Sequence, residues 1–381
     1  MANAPERDRD EVAAYLAVAQ VPGIGASRLR TLIAAFGSAA GAIHAPHGAI
    51  AALPGFTRAA ATAIRAAGIT RGAEVLDRLT HLGAVVLLPE DEGFPSLLRE
   101  IPEPPALLFA WGDVALLNRP AVAIVGSRNH TAYGAEAARL LAAGVAPAAV
   151  VVSGMARGID AIAHAAALDA GGTSVGVLGN GFGVIYPAAN RALYDRMIVR
   201  GCLVTELPPG ERPHAHTFPR RNRLVSGLAA ATVVVEAAAG SGALITADAA
   251  LDQGRAVLAV PGPITSPTSV GCNKLIQQGA KPALCVGDIL EEIGLGGLTP
   301  GRCLGASGER TPPADLTPLQ ESLWTALAAE SRHIDALAGA TNAPTSDVLT
   351  ALTDLELRGV VRQDPGMRFS LIADLGLRIA D

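Results

Sequence analysis

Residues Ala121–Asp160 read AVAIVGSRNHTAYGAEAARLLAAGVAPAAVVVSGMARGID. A short apolar run, Ala121–Val125, stops at Gly126-Ser127-Arg128, and a helical pattern follows. A second run, Val150–Val152, stops at Ser153-Gly154-Met155-Ala156-Arg157-Gly158, and another helix opens with Asp160 as its expected N-cap. Strand, glycine turn and helix thus occur twice in succession. In an open parallel sheet such turns gather at the carboxyl ends of the strands, where ligands bind. Their small residues bare backbone N–H groups, and each turn carries an arginine. Bare amides at a helix start beside a guanidinium make a phosphate site.

The alternation continues outward. Further strands are expected at Ser174–Leu178, Cys202–Thr205, Thr232–Val235 and Ala256–Val260, with helices at Tyr133–Ala143, Asp160–Ala170, Asn190–Arg200 and Ala243–Gln253. Apolar strands separated by such helices imply an α/β, Rossmann-like, mostly parallel sheet covered on both faces. Upstream, Ala84–Leu88 and Ala106–Ala110 read as additions to this sheet, and the prolines between them exclude a continuous helix. Residues Glu11–Leu79 are alanine-rich and helical in period, interrupted at Val21-Pro22-Gly23-Ile24-Gly25 and Leu53-Pro54-Gly55-Phe56. These resemble a pair of helix-hairpin-helix motifs that offer amides to DNA phosphates; plain turns in a bundle account for them equally well. Downstream, Gly296–Pro313 has linker composition. Three helices and two strands in Thr317–Ile372 then look like a winged helix. Its third helix carries Asp347, Asp354 and Glu356 against Arg358, which suits a duplex backbone poorly and favours protein contact or dimer support. The expected domains are 1–80 (helical), 81–295 (sheet), 296–315 (linker) and 316–381 (winged-helix-like).

Half of the 381 residues are apolar and 17% are charged, enough for a sizeable core. A net charge of −5 excludes a generic polyanion binder, so any nucleic-acid site is a local basic pocket. The cysteines, Cys202, Cys272, Cys285 and Cys303, show no CxxC spacing, and buried thiols are expected rather than a metal site. The charged start lacks the apolar core of a signal peptide, and Pro187 with several glycines argues against a membrane span in Gly171–Asn190. A cytoplasmic protein without membrane contact is expected.

Four loops should converge above the sheet: Gly126-Ser127-Arg128; Ser153–Asp160; Gly179–Gly183 running on to Tyr186-Pro187 and Arg191; and Ala237–Thr246, where Gly240-Ser241-Gly242 opens a helix. None matches GxGxxG with a distal acid, and none is a Walker loop. The segment Phe218-Pro219-Arg220-Arg221-Asn222-Arg223 is expected to precede an apolar helix, Leu224–Ala231. Arginines at a helix start oppose the macrodipole unless an anion sits there; a salt bridge to an acid such as Glu236 is the alternative for at least one of them. His214 and His216 read as a solvated loop, and His164 as a core or cap residue. No nucleophile is apparent, and no acid–base pair stronger than Asp160 with Glu236.

Together VAIVGSR, SGMARGIDAIAH, LGNGFGVIYPAAN, FPRRNRLVSGLA, VVEAAAGSGALITADAALDQGR and AVPGPITSPTSVGCNKLI resemble the DNA-processing protein A family over about Glu90 to Gly294. The resemblance implies a non-catalytic, sequence-independent binder of single-stranded DNA. Such proteins protect incoming strands in natural transformation, load RecA and act as homodimers; no cofactor or metal is implied. It places Arg128 on a DNA phosphate, with Ser127 beside it. It also assigns Ser153, Gly154, Arg157 and Gly158 from the second loop, Arg220, Asn222 and Arg223 from the FPxRNR segment, and Ser241, Gly242 and Thr246 from the SGxLIT segment. Many relatives have a lysine just after Tyr-Pro; here Ala188-Ala189 follow, and Arg191 is the candidate replacement. Phe182, Tyr186 and Phe218 are candidate stacking platforms. The competing reading is a nucleotide-processing enzyme resembling the phosphoribohydrolases, although Glu236 precedes the glycine turn and spoils that geometry.

Overall fold

Two compact units make up the chain, residues 1–304 and 305–381. The structure is a computed structural model that describes residues 8–296, 313, 315–327, 331–364 and 366–371. The expected linker 296–315 and Cys303 lie almost wholly or wholly outside the described residues.

The first unit is built on a nine-stranded sheet. Its strands are β1 Val85–Leu87, β2 Leu108–Gly112, β3 Ala121–Val125, β4 Val150–Ser153, β5 Ser174–Val177, β6 Cys202–Thr205, β7 Ala231–Val234, β8 Ala256–Ala259 and β9 Lys281–Pro282. They are ordered β1-β2-β6-β5-β4-β3-β7-β8-β9. From β6 to β9 every pairing is parallel; β1 and β2 add antiparallel at one edge. The inner strands β3, β4, β5 and β7 are buried along their whole length, as continuous Val/Ala/Ile runs require when helices cover both faces. One apolar cluster fills one face, and two share the other, one of them continuous with the N-terminal helices.

The strand order positions the site. From β3 the chain passes to β4 on one side, and from β7 to β8 on the other. The neighbours β3 and β7 therefore flank the point where the winding reverses, and the loops leaving them diverge to open a crevice.

An N-terminal bundle of six helices caps the sheet: Arg9–Ala19, Ala26–Phe36, Ala39–His44, His47–Ala51, Arg58–Ala67 and Ile69–Leu82. The first and last cross at Gly72, where a Cβ would stand 1.8 Å from the Ala13 carbonyl oxygen, so only glycine fits. The bundle shares one core with the sheet, including Leu29, Ile64, Leu178, Phe182 and Leu203. The Tyr15 hydroxyl also donates to the Ala106 carbonyl at 2.7 Å.

The second unit is a winged helix. Helices Pro318–Leu327, Ile334–Thr341 and Thr345–Leu357 pack with a small sheet of Arg332–His333, Val361–Asp364 and Arg368–Leu371 around Leu323, Leu337, Leu352 and Phe369. Part of its acidic face is internally spent. Asp354 accepts from Gln320 Nε2 at 2.7 Å and lies 3.8 Å from Arg358, which also pairs with Asp315 at 2.5 Å.

Candidate nucleic-acid interface

The crevice between β3 and β7 is an open trough of about 600 Å³. Gly126–Asn129, leaving β3, forms one wall, and Ala238–Gly242, leaving β7, forms the other. On the second wall Ser241 caps the helix Gly242–Asp252, its hydroxyl accepting from the Ala243 N–H at 3.4 Å. The amide end of that 11-residue helix therefore opens into the trough, where its dipole favours an anion. The exposed Arg128 guanidinium stands on the opposite side.

The basic segment behaves differently from the sequence expectation. The helix begins at Thr217, not Leu224, so Phe218–Arg223 lie within it. Helical geometry then sends neighbouring side chains in different directions. Phe218, Arg221, Asn222 and Val225, spaced at helical intervals, line the trough. Arg220 is exposed away from it. Arg223 turns to the other side, pairing with Glu206 at 2.5 Å and donating to the Glu103 carbonyl at 2.5 Å. It is thus the arginine that meets an acid, but the acid is Glu206 and not Glu236.

A ladder of π surfaces rises beside Arg128. Its guanidinium lies 5.5 Å from the Phe218 ring centroid, and the Phe218 ring lies 5.6 Å from that of Tyr186, tilted by 39°. Tyr186 is 44% exposed, so one face of the ladder is open to a ligand. A small cleft adjoining the trough is lined by Arg157, Tyr186, Phe218 and Arg128.

The floor is a buried polar network. Arg221, 6% exposed, donates from Nη1 to the Gly154 and Val177 carbonyls. Burial pushes its pKa down, opposed by the charge of Asp160. Burial likewise pushes the Asp160 carboxyl up, and Arg221 and backbone bonds pull it back. Asp160 Oδ2 accepts from the Gly154 and Ala156 amides at 3.1 and 3.4 Å. Asp160 is therefore not the N-cap, which is Gly158. The amides expected to be bare in this loop are already satisfied from within.

His164 extends the network. Ser174 Oγ donates to the Val151 carbonyl at 2.5 Å, so it accepts from His164 Nδ1 at 2.7 Å, leaving Nε2 to accept the Met155 N–H at 3.4 Å. Burial and the Arg221 charge lower the His164 pKa to about 3. The folded pKa lies below the ordinary value of 6.5. The stability this neutral imidazole gives is therefore complete above pH 6.5 and is lost as the pH falls toward 3. By pH 5 the loss is about 2 kcal/mol, at about 1.4 kcal/mol per pH unit. Asp160 works with the opposite sign, being harder to ionise when folded, so the comparison is best made between the wild type and His164→Gln. Urea titrations at pH 7 and 5 should show the wild type losing about 2 kcal/mol more than the variant; equal losses would exclude His164 as the titrating group.

Of the expected site residues, the structure brings Ser127, Arg128, Gly154, Asn222, Ser241, Gly242 and Thr246 to the trough, and Arg157 and Tyr186 to the adjoining cleft. Gly158 acts from beneath. At φ +82° it lies so close to the first loop that a Cβ would stand 2.3 Å from the Ser127 carbonyl oxygen. Four further expected residues stand outside the trough and the cleft. Ser153 is fully buried and donates to the Ile124 carbonyl at 2.7 Å. Phe182 is 2% exposed and meets Trp111 edge-on in the core, so it offers no stacking face. Arg223 is neutralised by Glu206. Arg191 is exposed but, like Arg220, lines neither cavity. Sequence reasoning missed Arg221, though the spacing Phe218, Arg221, Asn222, Val225 carried the signal. It also missed Asn190, which donates to the Met155 and Ala156 carbonyls at 2.9 and 3.2 Å and braces the second loop.

Glu236 is 3% exposed, and both its oxygens are engaged. Oε2 accepts from the Thr131 amide at 2.9 Å and Oε1 from the Thr268 hydroxyl at 2.5 Å. Among the described residues no group of His, Cys, Asp and Glu is placed to hold a metal ion, and no helix is long and apolar enough to cross a membrane.

The model of the DNA recombination-mediator protein A family matches residues 85–294, and that of its winged-helix domain matches residues 307–367. Protein Smf of Escherichia coli is 39% identical over 283 residues, 74% of this chain and 76% of that protein. DNA processing protein DprA of Bacillus subtilis is 46% identical over 202 residues, 52% of this chain and 68% of that protein. Among solved structures, DNA processing protein A from Streptococcus pneumoniae superposes with a TM-score of 0.65 at 33% identity, covering 75% of this chain and 98% of that one. DNA processing protein A from Helicobacter pylori, described for its single-stranded DNA binding mode, gives 0.51 at 28% identity, covering 56% and 96%.

Proposed function

The chain belongs to the DNA recombination-mediator protein A family, and we propose that it binds single-stranded DNA in the trough between β3 and β7, making and breaking no bond there. The observation that carries this reading is the Arg128–Phe218–Tyr186 ladder, whose first two members line the trough with the helix start at Gly242 and whose third lines the adjoining cleft. A single strand needs cationic cradles for its phosphates and π faces for its unpaired bases. Arg128 and the helix amides serve the phosphates; Tyr186 and Phe218 serve the bases. Every base has a π face, so binding is independent of sequence. The relative from Helicobacter pylori, described as binding single strands, supports the ligand class.

The finer reading is that the protein shields incoming strands and loads RecA onto them as a homodimer, acting in the cytoplasm; it rests on the family resemblance. The nucleotide-hydrolase reading is disfavoured because Glu236, the acid that would assist base loss, has both oxygens committed to Thr131 and Thr268.

Electrophoretic retardation of oligothymidylate against a salt series tests the proposal. Binding should weaken steeply with salt, with a slope of about −0.7 per phosphate contacted. No free base should appear from nucleoside monophosphates; release that scales with protein would replace this reading by the enzymatic one.

A further inference from the structure

The single-strand trough uses nothing on the surface of the N-terminal bundle, yet that surface has an unusual charge. Between Glu11 and Glu74 there is no aspartate or glutamate, whereas Arg28, Arg30, Arg58, Arg65 and Arg71 fall there, in a chain of net charge −5. All five are exposed, and none has an ion-pair partner among the described residues. Of the acids nearby, Glu74 is exposed three residues after Arg71 on the same helix, while two others are occupied elsewhere. Glu11 accepts from the Ala39 and Ala40 amides at 2.6 and 3.1 Å, and Asp77 pairs with Arg9.

The two proline–glycine turns organise these charges. Each closes with the same bond, Ile24 N–H to the Val21 carbonyl at 3.0 Å and Phe56 N–H to the Leu53 carbonyl at 3.1 Å. Gly23 and Gly55 have φ of +82° and +81°, as the third residue of such a turn requires. Buried Val21, Ile24 and Phe56 anchor the turns, while Pro22, Gly23, Pro54 and Gly55 face solvent. Arg28 lies between them. Its Nη1 donates to the Gly23 carbonyl at 2.7 Å, and its Nε stands 3.8 Å from where a Gly55 Cβ would be. The turns are therefore neighbours, fixed across one guanidinium, and each leads into a helix whose first turns carry Arg28 and Arg30 or Arg58.

We propose that this face is a second DNA site, distinct from the trough, and that it takes duplex DNA through backbone phosphates without sequence preference. Concentrated unpaired arginines answer the charge density of a duplex. The face has no platform for unpaired bases, because Tyr15 and Phe56 are buried and Phe36 packs against the core. Two turns held in fixed relation suit a stiff polyanion. None of these residues lines the trough.

The test uses the full chain carrying Arg30→Gln and Arg58→Gln, with a blunt duplex of about 30 bp and an oligothymidylate of about 20 nucleotides as separate probes at ~50 mM salt. Duplex affinity should fall about tenfold and its salt slope by about 2, while single-strand affinity stays within about twofold. Arg128→Ala should do the reverse. The charge-reversed pair Arg30→Glu, Arg58→Glu should abolish duplex retention, with thermal unfolding of each variant as the folding control. Unchanged duplex binding in the substituted proteins, no duplex binding by the wild type, or equal losses for both probes would overturn the second site; loss of single-strand binding by the wild type would instead sink the trough.

Discussion

Arg128→Ala is expected to weaken oligothymidylate binding by about 10–100-fold at moderate salt, equally for other base compositions. The exposed Arg128 guanidinium has no ion-pair partner among the described residues, so its removal leaves no buried charge behind. What is lost is a charge-assisted bond to phosphate, worth about 1.5–3 kcal/mol, and the cation that rests against Phe218 at 5.5 Å. The salt slope should fall by about 0.7, the share of one phosphate. Fluorescence anisotropy of a labelled oligonucleotide reads both quantities. A variant binding within threefold of wild type with an unchanged slope would remove Arg128 from the site.

Arg221→Ala should destabilise the whole first unit by about 3–5 kcal/mol, because it leaves Asp160 buried without its counter-charge and strands the Gly154 and Val177 carbonyls. Arg221→Lys should recover little, since the shorter lysine stem does not carry its ammonium to the point from which Nη1 donates to both carbonyls. Combining Arg221→Met with Asp160→Asn should cost less than the sum of the single changes, as expected for contacting groups. Urea unfolding measures all three. A cost below about 1 kcal/mol for Arg221→Ala would mean the floor does not depend on this pair.

The alternation of β-branched runs and alanine-rich helices made the sheet legible, because each parallel strand is buried on both faces and needs an uninterrupted apolar run. The addition of β1 and β2 was legible too, since prolines punctuate that region. The site was less so. Loop residues such as Arg128 and Gly242 could be placed because they follow directly from strand ends at the switch point. A helix starting at Leu224 leaves Arg220, Arg221 and Arg223 in one loop with nothing to separate them. Starting it at Thr217 rotates each by about 100° from the last and gives three fates: solvent, floor and Glu206. Phe182 misled because a glycine-flanked aromatic reads as a loop residue, while its ring inserts beside Trp111. The Asp160 carboxylate reaches back to the Gly154 and Ala156 amides instead of forward as an N-cap does, a direction that the sequence does not reveal.

The most direct measurement is photo-crosslinking of bromodeoxyuridine-substituted single strands to the full chain, with the attachment points mapped by mass spectrometry. Adducts at Tyr186 and Phe218, lost when unlabelled oligothymidylate competes, are the result this account requires. Competed adducts confined to other parts of the sheet unit, with these two rings unmodified, would contradict it.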